Sequence, residues 1–186
     1  MTFARLAPLS AAFLATTWAQ NAGVGLPAAA REILESRYPK CTLAPSAPQI
    51  DDWFRVYRIP HRPVLAFGDF DDDGSRDYAV QIVCPGPKGL EQTVVALMAR
   101  GKGFDLHPLT TDSADPFTFL YVYRKGEKDF DFETMKPFRY EADSLGVLYF
   151  AKTAVTYRWQ GKAFEGSEAP GDEEIEAARE EQKEEP

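Results

Sequence analysis

Nine residues, Asp69 to Asp77, carry five aspartates (Asp69, Asp71, Asp72, Asp73 and Asp77) and run directly into Tyr78-Ala79-Val80-Gln81-Ile82-Val83-Cys84. Carboxylates this dense cannot enter an apolar core uncompensated, because each buried charge loses its hydration. The first segment is therefore a surface turn, and the second, rich in β-branched residues, is a strand. Their junction fixes where a sheet begins. The spacing also carries chemistry. Asp69, Asp71 and Asp73 alternate, Gly74 sits where the chain must turn sharply, Ser75 follows with a backbone carbonyl to offer, and Asp77 supplies a further carboxylate. A hard cation such as Ca²⁺ takes roughly six to eight oxygen ligands, and this order of acids and glycine meets that demand. The expected ligand set is Asp69, Asp71, Asp73, Ser75 and Asp77, with Asp72 out of phase and facing solvent. Without a cation the like charges would repel one another. The alternative is an acidic surface turn with no metal.

The pattern departs from a helix–loop–helix EF-hand, since the position of its bidentate Glu holds Val80 and a strand follows instead of a helix. The D-x-D-x-D-G-x-x-D order followed by a strand resembles the calcium loops of FG-GAP (integrin-α-type) extracellular repeats. Those proteins close several copies into β-propellers, whereas this chain has one copy. The resemblance therefore covers about a dozen residues and implies calcium binding, not a propeller. More loosely, the apolar N-terminus, the Leu26-Pro27-Ala28 helix start with Arg37-Tyr38-Pro39 at its end, and the terminal Tyr157-Arg158-Trp159 hairpin look like exported bacterial proteins that carry a lone loop of this type.

Residues 1–19 read as an export signal. Arg5 gives a positive start, Leu6 to Trp18 an apolar run, and Thr17-Trp18-Ala19 a cleavage site. The run is shorter than the roughly 20 residues a membrane-spanning helix needs, so no membrane span is expected in the mature chain. The other reading is a buried N-terminal helix. Export to the periplasm or beyond agrees with the cysteines. Cys41 and Cys84 are the two in the chain, and in an oxidising compartment they are expected to pair; two separate buried thiols are the alternative.

The net charge of −8 is unevenly placed. Residues 165–186 hold ten acids against Arg179 and Lys183, so this tail carries the whole excess and residues 20–164 are close to neutral. The tail has almost no apolar face, which points to disorder or a solvated helix. With no basic patch, nucleic acid is not an expected partner.

Between the signal and the tail the chain reads as one α+β domain, mostly antiparallel sheet with an N-terminal helix packed on one face. Pro27 can open a helix that continues through Ile33 and Leu34 until Pro39 stops it. Trp53 to Ile59 has strand-like content. Strands are expected at Tyr78–Cys84, Thr93–Ala99, Phe104–Leu109, Phe117–Tyr123, Gly146–Phe150 and Ala154–Trp159, with turns at Pro85 to Gly89, Gly101-Lys102-Gly103 and Gln160-Gly161-Lys162. The aromatics Phe117, Phe119, Tyr121 and Tyr123 alternate, which suits the inward face of a strand or, less commonly, a stacking platform.

Catalytic signatures are sparse. His61 and His107 lack a Ser or Cys neighbour in a nucleophile motif. Asp51-Asp52 and the Asp129, Asp131, Glu133 group would suit glycosidase-like chemistry only if they faced one another across a cleft. The leading expectation is an exported calcium-binding domain with a structural, binding or protein-interaction role toward a protein or extracellular polymer. The alternatives are a calcium-dependent hydrolase of an envelope polymer, with those acids in its cleft, or a subunit or inhibitor whose partner caps a sheet edge.

Overall fold

In the computed structural model the described residues are 25–131, 134 and 136–169. The expected signal at 1–19 and the tail beyond Ala169 lie outside them. Helix α1 spans Ala28–Arg37 and α2 spans Pro48–Val56. Among the described residues eleven strands follow the order β1 (Thr42–Leu43), β2 (Leu65–Gly68), β3 (Asp77–Gly86), β4 (Gly89–Arg100), β5 (Gly103–Ser113), β6 (Thr118–Tyr123), β7 (Lys128–Asp131), β8 (Lys136–Arg139), β9 (Ser144–Tyr149), β10 (Thr153–Trp159) and β11 (Phe164–Glu168).

The strands form two antiparallel sheets packed face to face, with a separate β7–β8 hairpin. In the first sheet β3 is central. Its long edge is shared by two short strands, β2 opposite Asp77 to Val80 and β1 opposite Ile82 and Val83, while β4 and then β5 extend the other side. Both hairpins close with two-residue turns, Pro87-Lys88 between paired Gly86 and Gly89, and Gly101-Lys102 between paired Arg100 and Gly103. The second sheet runs β11-β10-β9-β6.

Strand β3 is buried over its first seven residues because both of its faces are covered. Tyr78, Val80 and Ile82, with Val95 and Leu97 of β4, meet Ala30 and Leu34 of α1. On the opposite face Ala79, Val94 and Met98 meet Leu120, Val122, Leu145 and Val147 of the second sheet. The expected arrangement, a largely antiparallel sheet with the N-terminal helix on one face, is the one observed. Cys41 and Cys84 form a disulfide, with Cα atoms 4.3 Å apart, that joins the start of β1 to the far part of β3. No helix among the described residues is long and apolar enough to cross a membrane.

Three expectations change. Trp53 to Ile59 is not a strand: its first part ends α2. Pro48 takes the first helical turn, Asp51 lies where the helix dipole favours an acid, and Ile50 and Phe54, four residues apart, are both buried. The aromatic row of β6 does not point between the sheets. Leu120 and Val122 fill that space, while Phe119 turns outward to pack under α2 and Tyr123 stacks on Tyr140 with ring centroids 5.1 Å apart. The second sheet also reaches past residue 164. Phe164–Glu168 is an edge strand in which Glu165 pairs opposite Arg158, a place where an acid costs little.

Candidate metal centre

The acidic turn sits between β2 and β3 at one end of the sandwich. Its backbone needs glycine twice. Gly74 has φ +84°, in the left-handed region. Gly68 is approached so closely that an added Cβ would lie 2.8 Å from the Phe70 ring and 3.0 Å from the Asp143 carboxylate.

Between these glycines the turn is built by its own carboxylates. Asp69 accepts the amides of Asp73 (3.0 Å) and Gly74 (2.9 Å), which curls the chain around its side chain. Asp73 accepts the amide of Ser75 at 2.7 Å. Asp77 is fully buried and joins three segments, one oxygen accepting the Phe70 amide at 2.8 Å and the other the Ala99 amide of β4 at 2.7 Å. Asp143, just before β9, accepts the Asp69 amide at 3.2 Å and the Arg124 guanidinium at 2.7 Å, tying the turn to the second sheet.

Three acids converge. Asp69, Asp71 and Asp77 each place a carboxylate oxygen within 4.8 Å of the others, a group that could hold a metal ion. The Asp71 side chain is only 9% exposed; one oxygen meets the Arg100 guanidinium at 2.7 Å, and the other is buried without a protein partner. A buried acceptor left unpaired costs free energy unless something supplies a positive charge or a donor. The donor set fits a hard cation: all oxygen, with three carboxylates.

Loss of hydration pushes the Asp77 carboxyl up to about 6, the two backbone amides it accepts pull it down, and the neighbouring Asp71 and Asp73 push it up again. A nearby divalent ion would reverse that balance.

Of the expected ligands, Asp69, Asp71 and Asp77 are thus brought together. Asp73 stands apart from this trio, held to Ser75 and facing Arg100 at 3.6 Å. Ser75 is exposed in the turn. Asp72, expected in solvent, is half-exposed with φ +59°, and its carboxylate takes the Lys125 ammonium at 2.5 Å.

Two residues at the centre were invisible to a local reading, Arg100 and Asp143. The hairpin register had the signal for the first. Pairing Gly86 with Gly89 carries β4 back along β3 until Tyr78 lies opposite Leu97, so the strand end at Arg100 arrives beside the turn. Nothing local marks Asp143, which comes from the other sheet.

The other candidate residues have structural surroundings. Asp51 and Asp52 are exposed on α2, with Asp52 paired to Arg55, while Asp129 and Asp131 lie on β7, where Asp129 accepts the Tyr140 hydroxyl. Glu133 lies outside the described residues. His61 stacks edge-on against Phe54 and Phe67, and burial lowers its pKa; His107 packs on Trp159 and Phe164.

A turn whose carboxylates converge at the head of a sandwich strand defines a candidate seat for a cation. Compared with protein-family models, curated proteins and solved structures, the chain matches none, and the centre is read from its own geometry.

Proposed function

We propose that the Asp69–Asp77 turn holds Ca²⁺ and that the chain is an exported, calcium-stabilised domain with a binding or protein-interaction role. The observation that carries this reading is the Asp71 carboxylate. It is nine-tenths buried, has one oxygen without a protein partner, and belongs to a trio of acids within 4.8 Å. The disulfide and the signal-like N-terminus support export, where calcium is abundant and thiols oxidise. Asp69, Asp71 and Asp77 would hold the ion, with water or backbone carbonyls completing the shell. Its charge would offset the mutual repulsion of the trio and fasten the turn to β3 and β4.

Thermal melts of the purified chain in 10 mM CaCl₂ and in chelator test this. With an extracellular-type Kd of about 10⁻⁴–10⁻³ M, calcium adds roughly 1.4–2.7 kcal/mol. That raises the melting temperature by several degrees. The Asp71→Asn variant should lose most of the rise. Identical melts in calcium and chelator would reject the reading.

A further inference from the structure

Arg100 occupies ground that a metal ion would contest. Its guanidinium lies 2.7 Å from the same Asp71 carboxylate that belongs to the converging trio, 3.6 Å from Asp73, and 3.6 Å from Asp105 of β5. It also donates to the Ala99 carbonyl at 2.7 Å, and Ala99 is the residue whose amide holds Asp77. The end of β4 therefore delivers both an anchor for one ligand and a positive charge against another. That charge has somewhere to go. The Arg100 side chain is 34% exposed, Asp105 beside it is largely exposed, and the guanidinium stands 5.9 Å over the Trp159 ring of the second sheet.

We infer that Arg100 is a built-in competitor of the metal: it shares the Asp71 carboxylate with any bound cation and thereby sets how tightly the turn binds one. The inference rests on the calcium reading for the identity of the ion, and on the Arg100–Asp71 contact for its content. A guanidinium within ion-pair distance of a ligand stabilises the ion-free turn and repels an arriving divalent charge, so both effects act against binding. Displacement from Asp71 leaves Arg100 with Asp73 and Asp105, each at 3.6 Å, as its nearest other carboxylates; movement toward the exposed Asp105, away from the turn, shifts it relative to Trp159. Occupancy of the turn is thereby reported at the second sheet.

The test is calcium titration by calorimetry on the wild type, Arg100→Gln and Arg100→Lys, with tryptophan emission followed in parallel. Arg100→Gln should bind at least about tenfold more tightly. Arg100→Lys, which keeps the charge, should stay within about threefold of the wild type and shows whether loss of charge or loss of fold is responsible. Calcium should change the emission of the wild type, and this change should vanish in Trp159→Phe. Equal affinity in wild type and Arg100→Gln overturns the inference and leaves the calcium reading intact. Binding by Arg100→Gln alone upholds the inference in its strongest form, with the guanidinium standing in for the ion, and overturns the calcium reading for the natural chain. No heat of binding in any of the three overturns both.

Discussion

Two acidic regions of this molecule look alike in sequence and differ in construction. The Asp69–Asp77 turn folds three of its five carboxylates inward: Asp69 and Asp77 each accept two backbone amides, and oxygens of Asp69, Asp71 and Asp77 converge within 4.8 Å. Across the second sheet, Asp129, Asp131, Glu165 and Glu168 line a cleft of about 460 Å³ between the β7–β8 hairpin and β10–β11. There the acids are spread around a rim with Tyr123, Phe138 and Tyr140, and Arg158 lies over the Phe138 ring. An acid count does not separate the two regions. What separates them is whether backbone amides force the carboxylates together and whether burial leaves an oxygen without a protein partner, as it does at Asp71.

The sharpest way to break this contrast is to remove the most deeply anchored acid. Asp77→Leu leaves the buried amides of Phe70 and Ala99 without their acceptor. It should destabilise the chain by about 2–5 kcal/mol in chemical denaturation. A loss below about 1 kcal/mol would mean that the turn is not built around Asp77.

Next in size is a pH effect particular to the turn. The Asp77 carboxyl, ordinarily at 3.8, is pushed up to about 6 by burial, so the folded, metal-free chain holds this proton more tightly than the unfolded chain. The resulting stabilisation is complete below about pH 4 and is lost as pH rises through 6, roughly 3 kcal/mol at most. Denaturation in chelator at pH 4, 5, 6 and 7, with Asp77→Asn as control, reads this contribution directly. Saturating calcium should reduce the loss, since a cation favours the ionised carboxylate. A slope identical in Asp77→Asn would assign the titration to another group.

The smallest effect lies in the cleft. Glu165→Gln and Glu168→Gln, at an exposed edge strand, should each change stability by less than about 0.5 kcal/mol and leave calcium binding unaltered. A calcium affinity that fell with either would show that the rim acids act on the ion, erasing the distinction.

Much of this architecture was legible because it depends on local chemistry. Gly101-Lys102 and Gln160-Gly161-Lys162 mark turns that the chain makes, Pro39 follows the end of α1, and the two cysteines pair. The turn's trio was legible as well, since Asp69, Asp71 and Asp77 lie within nine residues of each other. Helix α2 was hidden by its composition. Trp53, Phe54, Val56 and Tyr57 resemble strand residues, and the Ile50–Phe54 spacing that makes them helical gains its meaning only from Phe119, on a strand more than sixty residues later. The face of β6 was hidden for a related reason. Either alternate set, aromatic or aliphatic, could fill a core, and the space between two sheets selected Leu120 and Val122.

Strand β3 is held at its two extremities by unlike means. Asp77 secures its first residue through oxygen and amide contacts, and Cys84, seven residues on, secures the other through sulfur. In extended chain these points are about 23 Å apart, far enough for their energies to add independently. A reductant would therefore slacken one extremity and leave the amide contacts of Asp77 at the other in place; if the turn holds Ca²⁺ as proposed, a chelator would loosen that second extremity, and the two treatments together would release the central strand at both.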